Sequence, residues 1–201
     1  MQEAIEHLRA SDPVLAAIID RVGEYRIMFR PPDFETLVKS IIYQQLSGRV
    51  AQVIFERLAG AMNGSGLTPE GILRLRPARM RSLGLSRQKV LYIRDLARMT
   101  RDGKVLFNKL PALADTDVIE SLTQVRGVGV WTAHMFLIFA LRRANVLPVG
   151  DLGIRAAIRK AYGLADLPTP AEVERIGAPW HPYRTVASWY LWRSIEPNAN
   201  L

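Results

Sequence analysis

The sequence is marked by capping residues, each standing directly before an amphipathic run. Such side chains accept hydrogen bonds from the first unpaired N–H groups of a helix. In the run after Asp33, apolar residues recur at spacings of three and four, which gathers them on one face of a helix. The pattern predicts helices with one buried side. The capping positions are Asp12, Asp33, Thr68 and Ser86.

Strand signals are missing from the same sequence. No segment alternates apolar and polar residues convincingly, and no Asn-Gly or Asp-Gly pair indicates a hairpin turn. About half of the 201 residues are hydrophobic, which is enough to build a proper core. We therefore expect an all-α fold of about ten short helices.

Charge and cysteine content narrow the classes of function. Twenty-seven Lys and Arg against nineteen Asp and Glu give a net charge of +8, which favours an anionic partner. The lack of cysteine excludes disulfides, thiolate metal sites, Cys-ligated iron–sulfur clusters and cysteine nucleophiles. His7, His134 and His181 have no ligand spacing, so no metal site is expected.

Targeting signals are also lacking. The N-terminal residues do not form a signal peptide, and no apolar stretch reaches the ~20 residues of a bilayer span. We expect an intracellular protein that is not secreted and has no membrane partner.

The segment LTQVRGVGVWTA (122–133) interrupts two helical runs with glycines. Asp117 and Glu120 predict a capping box for the first helix, and residues 131–141 read as the second. Gly127 and Gly129 stand where the backbone can need a positive φ or a close approach. Amide groups at the start of the second helix would then form an anion site that suits a DNA phosphate. The alternative is an ordinary corner between helices, with the glycines as a C-cap.

Downstream, the segment RRANVLPVGDLGIRAA (142–157) places Asp151 at the start of a helix over 152–161. Pro148 and Gly150 shape the loop that precedes it. An aspartate at such a position is a normal N-cap, and it can serve as a fixed carboxylate in a site as well. Both roles stay open from the residues alone.

Residues 122–157 together strongly resemble the hairpin, Gly/Pro-rich loop and catalytic Asp of the HhH-GPD DNA glycosylases. The likeness is to the alkylpurine branch, the 3-methyladenine DNA glycosylase II proteins, in their short yeast-like form. IIYQQLSGRVAQVIFERL (41–58) is similar to that branch's DNA-wedging stretch. The resemblance implies a two-lobed helical fold with an active-site cleft. One lobe would be 34–142, ending in the helix-hairpin-helix at about 118–141, and the other 1–33 with 143–201.

The resemblance also implies roles for individual residues. Asp151 would be the catalytic carboxylate, and Trp131 and Trp192 would line the lesion pocket, with Trp189 and Tyr190 as neighbours able to exchange with Trp192. Leu46 would be the wedge that fills the gap left by a flipped base, with Gln45 and Gln44 beside it. No cofactor is implied, apart from a monovalent cation that hairpin carbonyls hold in some members. The hairpin residues that would bind phosphate are Gly127, Val128, Gly129, Trp131 and Thr132.

The chemistry follows from these residue types. A carboxylate at a helix N-terminus is favoured in its ionised form, so Asp151 can stabilise an oxocarbenium-like sugar better than it can protonate a leaving base. Bifunctional glycosylase/lyases of the superfamily carry a lysine where this chain has Trp131, and an indole cannot form a Schiff base. Where bacterial relatives have a second acidic residue, this chain has Gly150. We also expect that a bulky residue at Gly127 lowers affinity for all DNA and leaves folding largely intact.

The sequence thus predicts a monofunctional DNA glycosylase for alkylated purines of the 3-methyladenine and 7-methylguanine type, acting by base flipping in base excision repair. Its partner would be double-stranded DNA with alkylated bases, bound by a monomer. The protein would work in the cytoplasm of a bacterium, associated with the nucleoid, or in the nucleus of a eukaryote. Two alternatives stay open: a DNA-binding module without turnover, and a glycosylase for another lesion such as a deaminated base.

Overall fold

The computed structural model describes residues 1–62, 64 and 66–196, and every regular element in them is helical. The expected all-α class is confirmed. Twelve α-helices replace the expected ten or so in these residues, partly because Pro77 begins a new helix soon after α5 ends. Short 3₁₀ turns occur at Leu110–Ala112 and Ala178–Trp180. The helices are α1 Gln2–Ser11, α2 Pro13–Val22, α3 Phe34–Tyr43, α4 Gly48–Gly60, α5 Pro69–Arg74, α6 Pro77–Ser82, α7 Arg87–Arg101, α8 Asp115–Thr123, α9 Val130–Phe139, α10 Leu152–Ala161, α11 Pro170–Ile176 and α12 Arg184–Ile195.

The four expected caps are confirmed. The Asp12 carboxylate accepts from two N–H groups of α2, at 2.9 and 3.0 Å. Asp33, Thr68 and Ser86 each accept from the N–H three residues further on, at 2.8, 3.1 and 3.2 Å. Because each such cap contributes about 1 kcal/mol, these side chains fix where the helices begin.

The capping box expected at Asp117 and Glu120 is wrong. Helix α8 begins at Asp115, with Ala114 in the extended conformation before it. Asp117 is therefore the third residue of the helix rather than its cap. Its carboxylate and that of Asp115 lie in the first turn, where the helix dipole favours negative charge.

The described chain divides into two compact units, and the division falls inside α9. The continuous unit is Arg30–Phe136, and the discontinuous unit combines Met1–Phe29 with the described residues from Leu137 onward. The functional lobes expected from the resemblance, 34–142 and 1–33 with 143–201, stay a prediction.

In the continuous unit, α7 packs against α3, α5 and α6. Ile41 and Ile42 of α3 and Ile93 and Leu96 of α7 are fully buried. Burying a side chain of this size stabilises a fold by about 1.5–3 kcal/mol. The three- and four-residue spacings seen in the sequence therefore do place these residues in a core.

In the discontinuous unit, α12 packs against α2 and α10, and its residues 185–192 are all buried. The buried Asp12 carboxylate also accepts from Trp180 Nε1 at 2.8 Å and from the Tyr162 hydroxyl. Burial and this bond raise the pKa of Tyr162, so it stays a neutral donor. Tyr190 donates to the Gly23 carbonyl at 2.9 Å. These bonds join the two sequence segments of the unit.

Among the described residues, no helix combines the length and the apolar character of a membrane span.

Candidate functional site

Asp151 is the N-cap of α10, as its sequence position predicts. Its Oδ1 accepts from the Ile154 N–H at 2.8 Å, and its own N–H donates to the Pro148 carbonyl at 2.9 Å. The turn from Pro148 thus delivers the carboxylate to the start of the helix. The side chain is buried, with 9% of the residue exposed.

Trp192 meets Asp151 inside the discontinuous unit. Its Nε1 donates to Asp151 Oδ1 at 2.8 Å, and its ring stacks on Phe139 with centroids 6.0 Å apart. Two neutral donors therefore converge on one carboxylate oxygen and fix its direction. A hydrogen bond to a charged group contributes about 1.5–3 kcal/mol. The lesion-pocket role expected for Trp192 stays a prediction, and the geometry gives it a positioning role as well.

Gly153 is a member of this corner that the sequence reasoning missed. A Cβ at this position would lie 3.0 Å from Asp151 Oδ1 and 3.0 Å from Trp192 Cδ1. Glycine therefore lets α12 bring its indole against the first turn of α10. The only sequence signal is a glycine inside a helix, where it normally costs about 1 kcal/mol relative to alanine.

The hairpin joins α8 to α9 through six residues, 124–129. Gly127 has a φ of +80°, as expected, and a Cβ there would lie 2.1–2.5 Å from the ring of Tyr92. Gly129 does not have a positive φ, and a Cβ there would meet open space. The two glycines therefore differ: the fold itself requires Gly127, whereas Gly129 leaves room on the surface.

This geometry contradicts the expectation that a bulky residue at Gly127 leaves folding intact. Such a residue would combine an unfavourable φ with a clash against an aromatic ring in the same unit. A test of phosphate binding belongs at Gly129, where substitution disturbs nothing in the protein itself.

Some backbone N–H groups of this hairpin are available to bind an anion. Two of them are used internally, because Arg126 N–H donates to Asp95 Oδ2 and Val128 N–H to the Val125 carbonyl, both at 3.0 Å. Within the part of the chain that the structure describes, the N–H groups of Gly127 and Gly129 donate no hydrogen bond. They lie just before the positive end of the α9 dipole, which favours an anion.

The other expected hairpin residues take different positions. Val128 and Thr132 are buried, at 4% exposure each, and they anchor the turn. Trp131, in the first turn of α9, leaves half of its surface exposed, at 49%. An indole in this position is able to stack on a base, and its pocket role stays a prediction.

Leu46 lies in the wedge loop, which we define as residues 44–47 between α3 and α4. It is exposed, at 37%, although leucine normally belongs in a core. Gln45, next to it, has a φ of +58°, a region that residues with a Cβ rarely occupy. A backbone held in this state presents the leucine to solvent. Its role as a wedge stays a prediction that this exposure favours.

Comparisons with known proteins give the geometry its context. The family model described as HhH-GPD superfamily base excision DNA repair protein matches residues 38–182, which include the wedge loop, the hairpin and Asp151. Among curated relatives, DNA-3-methyladenine glycosylase 1 of Schizosaccharomyces pombe is 34% identical, over 94% of this chain and 86% of that protein. The putative DNA-3-methyladenine glycosylase YfjP of Bacillus subtilis is 33% identical, over 98% of this chain and 70% of that protein.

Solved structures of 3-methyladenine DNA glycosylases are also similar to this chain. The S. pombe 3-methyladenine DNA glycosylase Mag1 in complex with abasic DNA matches with a TM-score of 0.86 and 33% identity, over 99% of this chain and 98% of that one. A DNA-3-methyladenine glycosidase from Bacillus halodurans gives a TM-score of 0.86 at 34% identity, over 98% and 92% of the two chains. With a family model that covers well over half of its length and relatives of this identity, the chain belongs to the HhH-GPD superfamily of base excision DNA repair proteins.

Proposed function

We propose that this protein is a monofunctional DNA glycosylase that hydrolyses the N-glycosidic bond of alkylated purines in duplex DNA. The observation that carries the proposal is the Asp151 carboxylate, buried at the start of α10 and held by two donors on Oδ1. Relatives one third identical over nearly the whole chain bear the name DNA-3-methyladenine glycosylase. The same proposal places the protein wherever the cell keeps its DNA, as a monomer.

The reaction needs a fixed negative charge more than it needs an acid. When the C1′–N bond breaks, its electron pair leaves with the base and the sugar becomes an oxocarbenium-like cation. A preorganised carboxylate stabilises that cation, and removing one such stabilising group typically costs about 10²–10³-fold in rate. Water then adds to C1′ and loses a proton, giving an abasic site and a free base.

The choice of alkylated purines follows from the same charge. A purine methylated at N3 or N7 is already cationic and leaves as a neutral base, whereas an unmodified purine needs a proton to leave well. The Asp151 carboxylate accepts N–H hydrogen bonds at a helix N-terminus, which fixes it in place as a group that can stabilise positive charge on the sugar. The half-exposed Trp131 offers an aromatic face on which a cationic base can stack.

Trp131 also determines the product of excision. A bifunctional enzyme would use an amine there to attack C1′ and form a Schiff base, and an indole has no such chemistry. The product is therefore an intact strand with an abasic site, produced without a cofactor.

The test is single-turnover release of methylated bases from methylated duplex DNA, by wild type and by Asp151→Asn. We expect release of 3-methyladenine or 7-methylguanine, slowed at least about 100-fold in the variant. Strand breaks should appear only after alkali. Asp166→Asn, which changes an exposed aspartate of the same unit, is the matched control and should behave as wild type.

Three outcomes would contradict the proposal. Strand cleavage without alkali would show lyase chemistry. Release of hypoxanthine from a duplex that contains it, without release of methylated bases from the methylated duplex, would change the substrate class. If a folded wild type bound DNA tightly but released no base, the protein would be a DNA-binding module without turnover.

A further inference from the structure

Gln44 connects the wedge loop to the hairpin inside the continuous unit. Its Nε2 donates to the Gly127 carbonyl at 2.9 Å and lies 3.4 Å from Thr132 Oγ1. The residue is the C-cap of α3 and stands two positions before Leu46. One amide group therefore joins the backbone that presents the wedge to the turn that carries the free N–H groups.

Lys89 fixes the same backbone from another side. Its Nζ donates to the carbonyls of Ile42 and Gln44, at 2.6 and 2.7 Å. These carbonyls end α3, where no intrahelical N–H is available and a cation is favoured. Burial lowers the pKa of Lys89, as expected for an ammonium group withdrawn from water. Lys89 is thus directed into the protein.

Helix α7 holds the hairpin as well. Lys89, Tyr92 and Asp95 follow one another at spacings of three, along one side of the helix. The Tyr92 ring fills the space beside Gly127, and the Asp95 carboxylate accepts from Arg126 N–H at 3.0 Å. One helix side therefore anchors both the wedge loop and the hairpin.

These contacts explain how the wedge loop keeps an unfavourable backbone. A left-handed conformation at a residue with a Cβ costs roughly 1–2 kcal/mol, and it persists only where the surroundings hold it. Gln45 lies between Gln44, which is held by three hydrogen bonds of its side chain and carbonyl, and the start of α4 at Gly48. Without those bonds the loop would relax and Leu46 would lose its place.

We infer that Gln44 and Lys89 are positioning residues that make the wedge loop and the hairpin a single rigid body. Capture of a phosphate at the hairpin then sets where Leu46 enters the duplex. Neither side chain contacts DNA in this scheme, because the donors of both are directed to oxygen atoms of the protein. The inference rests on the proposed function, and it adds to that function a mechanical link between backbone binding and base extrusion.

Two substitutions test the link without adding charge at the loop. Gln44→Met keeps the length of the side chain and removes its donor, with Gln88→Met on the exposed side of α7 as control. Lys89→Met removes the ammonium group, with Arg87→Met as control for the loss of a positive charge and Lys89→Arg as the conservative replacement. Four quantities are measured for each variant: the melting temperature, the affinity for undamaged duplex, the affinity for duplex with a tetrahydrofuran abasic analogue, and single-turnover excision at saturating enzyme.

We expect excision and the preference for the abasic analogue to fall about tenfold in Gln44→Met and in Lys89→Met, because each substitution removes the donor group that holds the loop. Affinity for undamaged duplex should change less than twofold, and Lys89→Arg should regain most of the excision rate. Parallel losses on damaged and undamaged duplex would overturn the inference and indicate a direct DNA contact. A lower melting temperature with normal excision by the folded protein would reduce both residues to a structural role.

The proposed function can fail separately. If the wild type releases no methylated base, the preference for the abasic analogue over undamaged duplex still reports on the wedge. An unchanged preference in Gln44→Met and Lys89→Met would overturn the link in that case.

Discussion

The two units of this protein differ sharply in charge. The continuous unit, Arg30–Phe136, has sixteen Lys and Arg against nine Asp and Glu, a net charge of +7. The discontinuous unit has eleven against ten, a net charge of +1. Nearly all of the attraction for a polyanion therefore belongs to the unit with the wedge loop and the hairpin, and the unit with Asp151 is almost neutral. In the proposed function, the basic unit holds DNA and the nearly neutral unit acts on it.

The units also differ in whether their candidate functional groups are buried and hydrogen-bonded or exposed. Asp151 and Trp192 are buried and bonded to each other. Leu46 and Trp131 are exposed, and two hairpin amides donate to nothing in the described protein. A group that stabilises a transition state must be fixed in advance, whereas a binding surface is completed by its ligand. Substitutions can test whether each residue acts as a fixed group in the reaction or as part of a binding surface.

The largest expected effect separates the two hairpin glycines. Gly127→Ala should lower the free energy of unfolding by about 2–5 kcal/mol, from left-handed strain and overpacking against Tyr92. Gly129→Ala should leave stability within about 0.5 kcal/mol and weaken binding to undamaged duplex DNA. Urea unfolding and fluorescence anisotropy measure the two effects. Equal stabilities would show that Tyr92 moves aside easily, and the hairpin would then be less rigid than the structure indicates.

Trp192→Phe tests the contact between Asp151 and Trp192 in the discontinuous unit, which is almost neutral. Phenylalanine keeps an aromatic ring against Phe139 and removes the donor to Asp151 Oδ1. We expect transition-state stabilisation to fall by about 1.5–3 kcal/mol, which slows single-turnover excision about 10–100-fold. The affinity for undamaged duplex should be unchanged. A loss confined to binding of the damaged base would place Trp192 in the lesion pocket and leave Asp151 independent of it.

Charge neutralisation tests the basic unit directly. Between residues 71 and 94 there are seven basic residues and no acidic one, and Arg79 and Arg81 are exposed there on α6. Replacing both with Gln should reduce the slope of log affinity against log salt by up to about 1.8, since each neutralised phosphate contributes roughly 0.9 to that slope. Arg159→Gln with Lys160→Gln, in the neutral unit, is the matched control. Equal reductions in the two double variants would remove the division of labour between the units.

The smallest expected effect concerns His134, in α9 of the basic unit. Burial lowers its pKa, and Asp115 partly opposes that shift. The unfolded chain therefore takes up a proton first as the pH falls through the ordinary histidine range, so stability decreases below about pH 6.5. In His134→Gln this part of the decrease should vanish in urea unfolding at about pH 7.5 and about pH 5.5, on either side of that range. A pH dependence identical to that of the wild type would assign the decrease to other groups.

Local features of the fold were accessible from the sequence, because caps and periodicity act within a few residues. Asp12 and Asp151 cap helices where the pattern placed them. The start of α8 was not accessible, since two neighbouring aspartates in that segment both favour a first turn and the pattern does not choose between them.

The functional residues divide in the same way. Asp151, Leu46 and the glycines stand in motifs that resemblance can identify. The resemblance also named Trp192 and Gln44, but it did not show which residues they bond to: Lys89 lies 45 residues from Gln44, and Trp192 lies 41 from Asp151. Whether Gly127 or Gly129 serves the fold depended on Tyr92, a side chain distant in sequence that packs against only one of them. Such pairings come from tertiary packing, which a local pattern does not encode.

The hydrogen bonds that close the discontinuous unit have a consequence for biosynthesis. The hydrogen bonds from Trp180 to Asp12 and from Tyr190 to Gly23 can form only after the C-terminal segment of the unit has been synthesised. The continuous unit is complete in sequence once Phe136 has been made. On the ribosome, the basic continuous unit can therefore fold while the unit that bears Asp151 is still incomplete. The emerging chain gains its strongly basic unit, which favours a polyanion, before Asp151 and Trp192 can form their hydrogen bond.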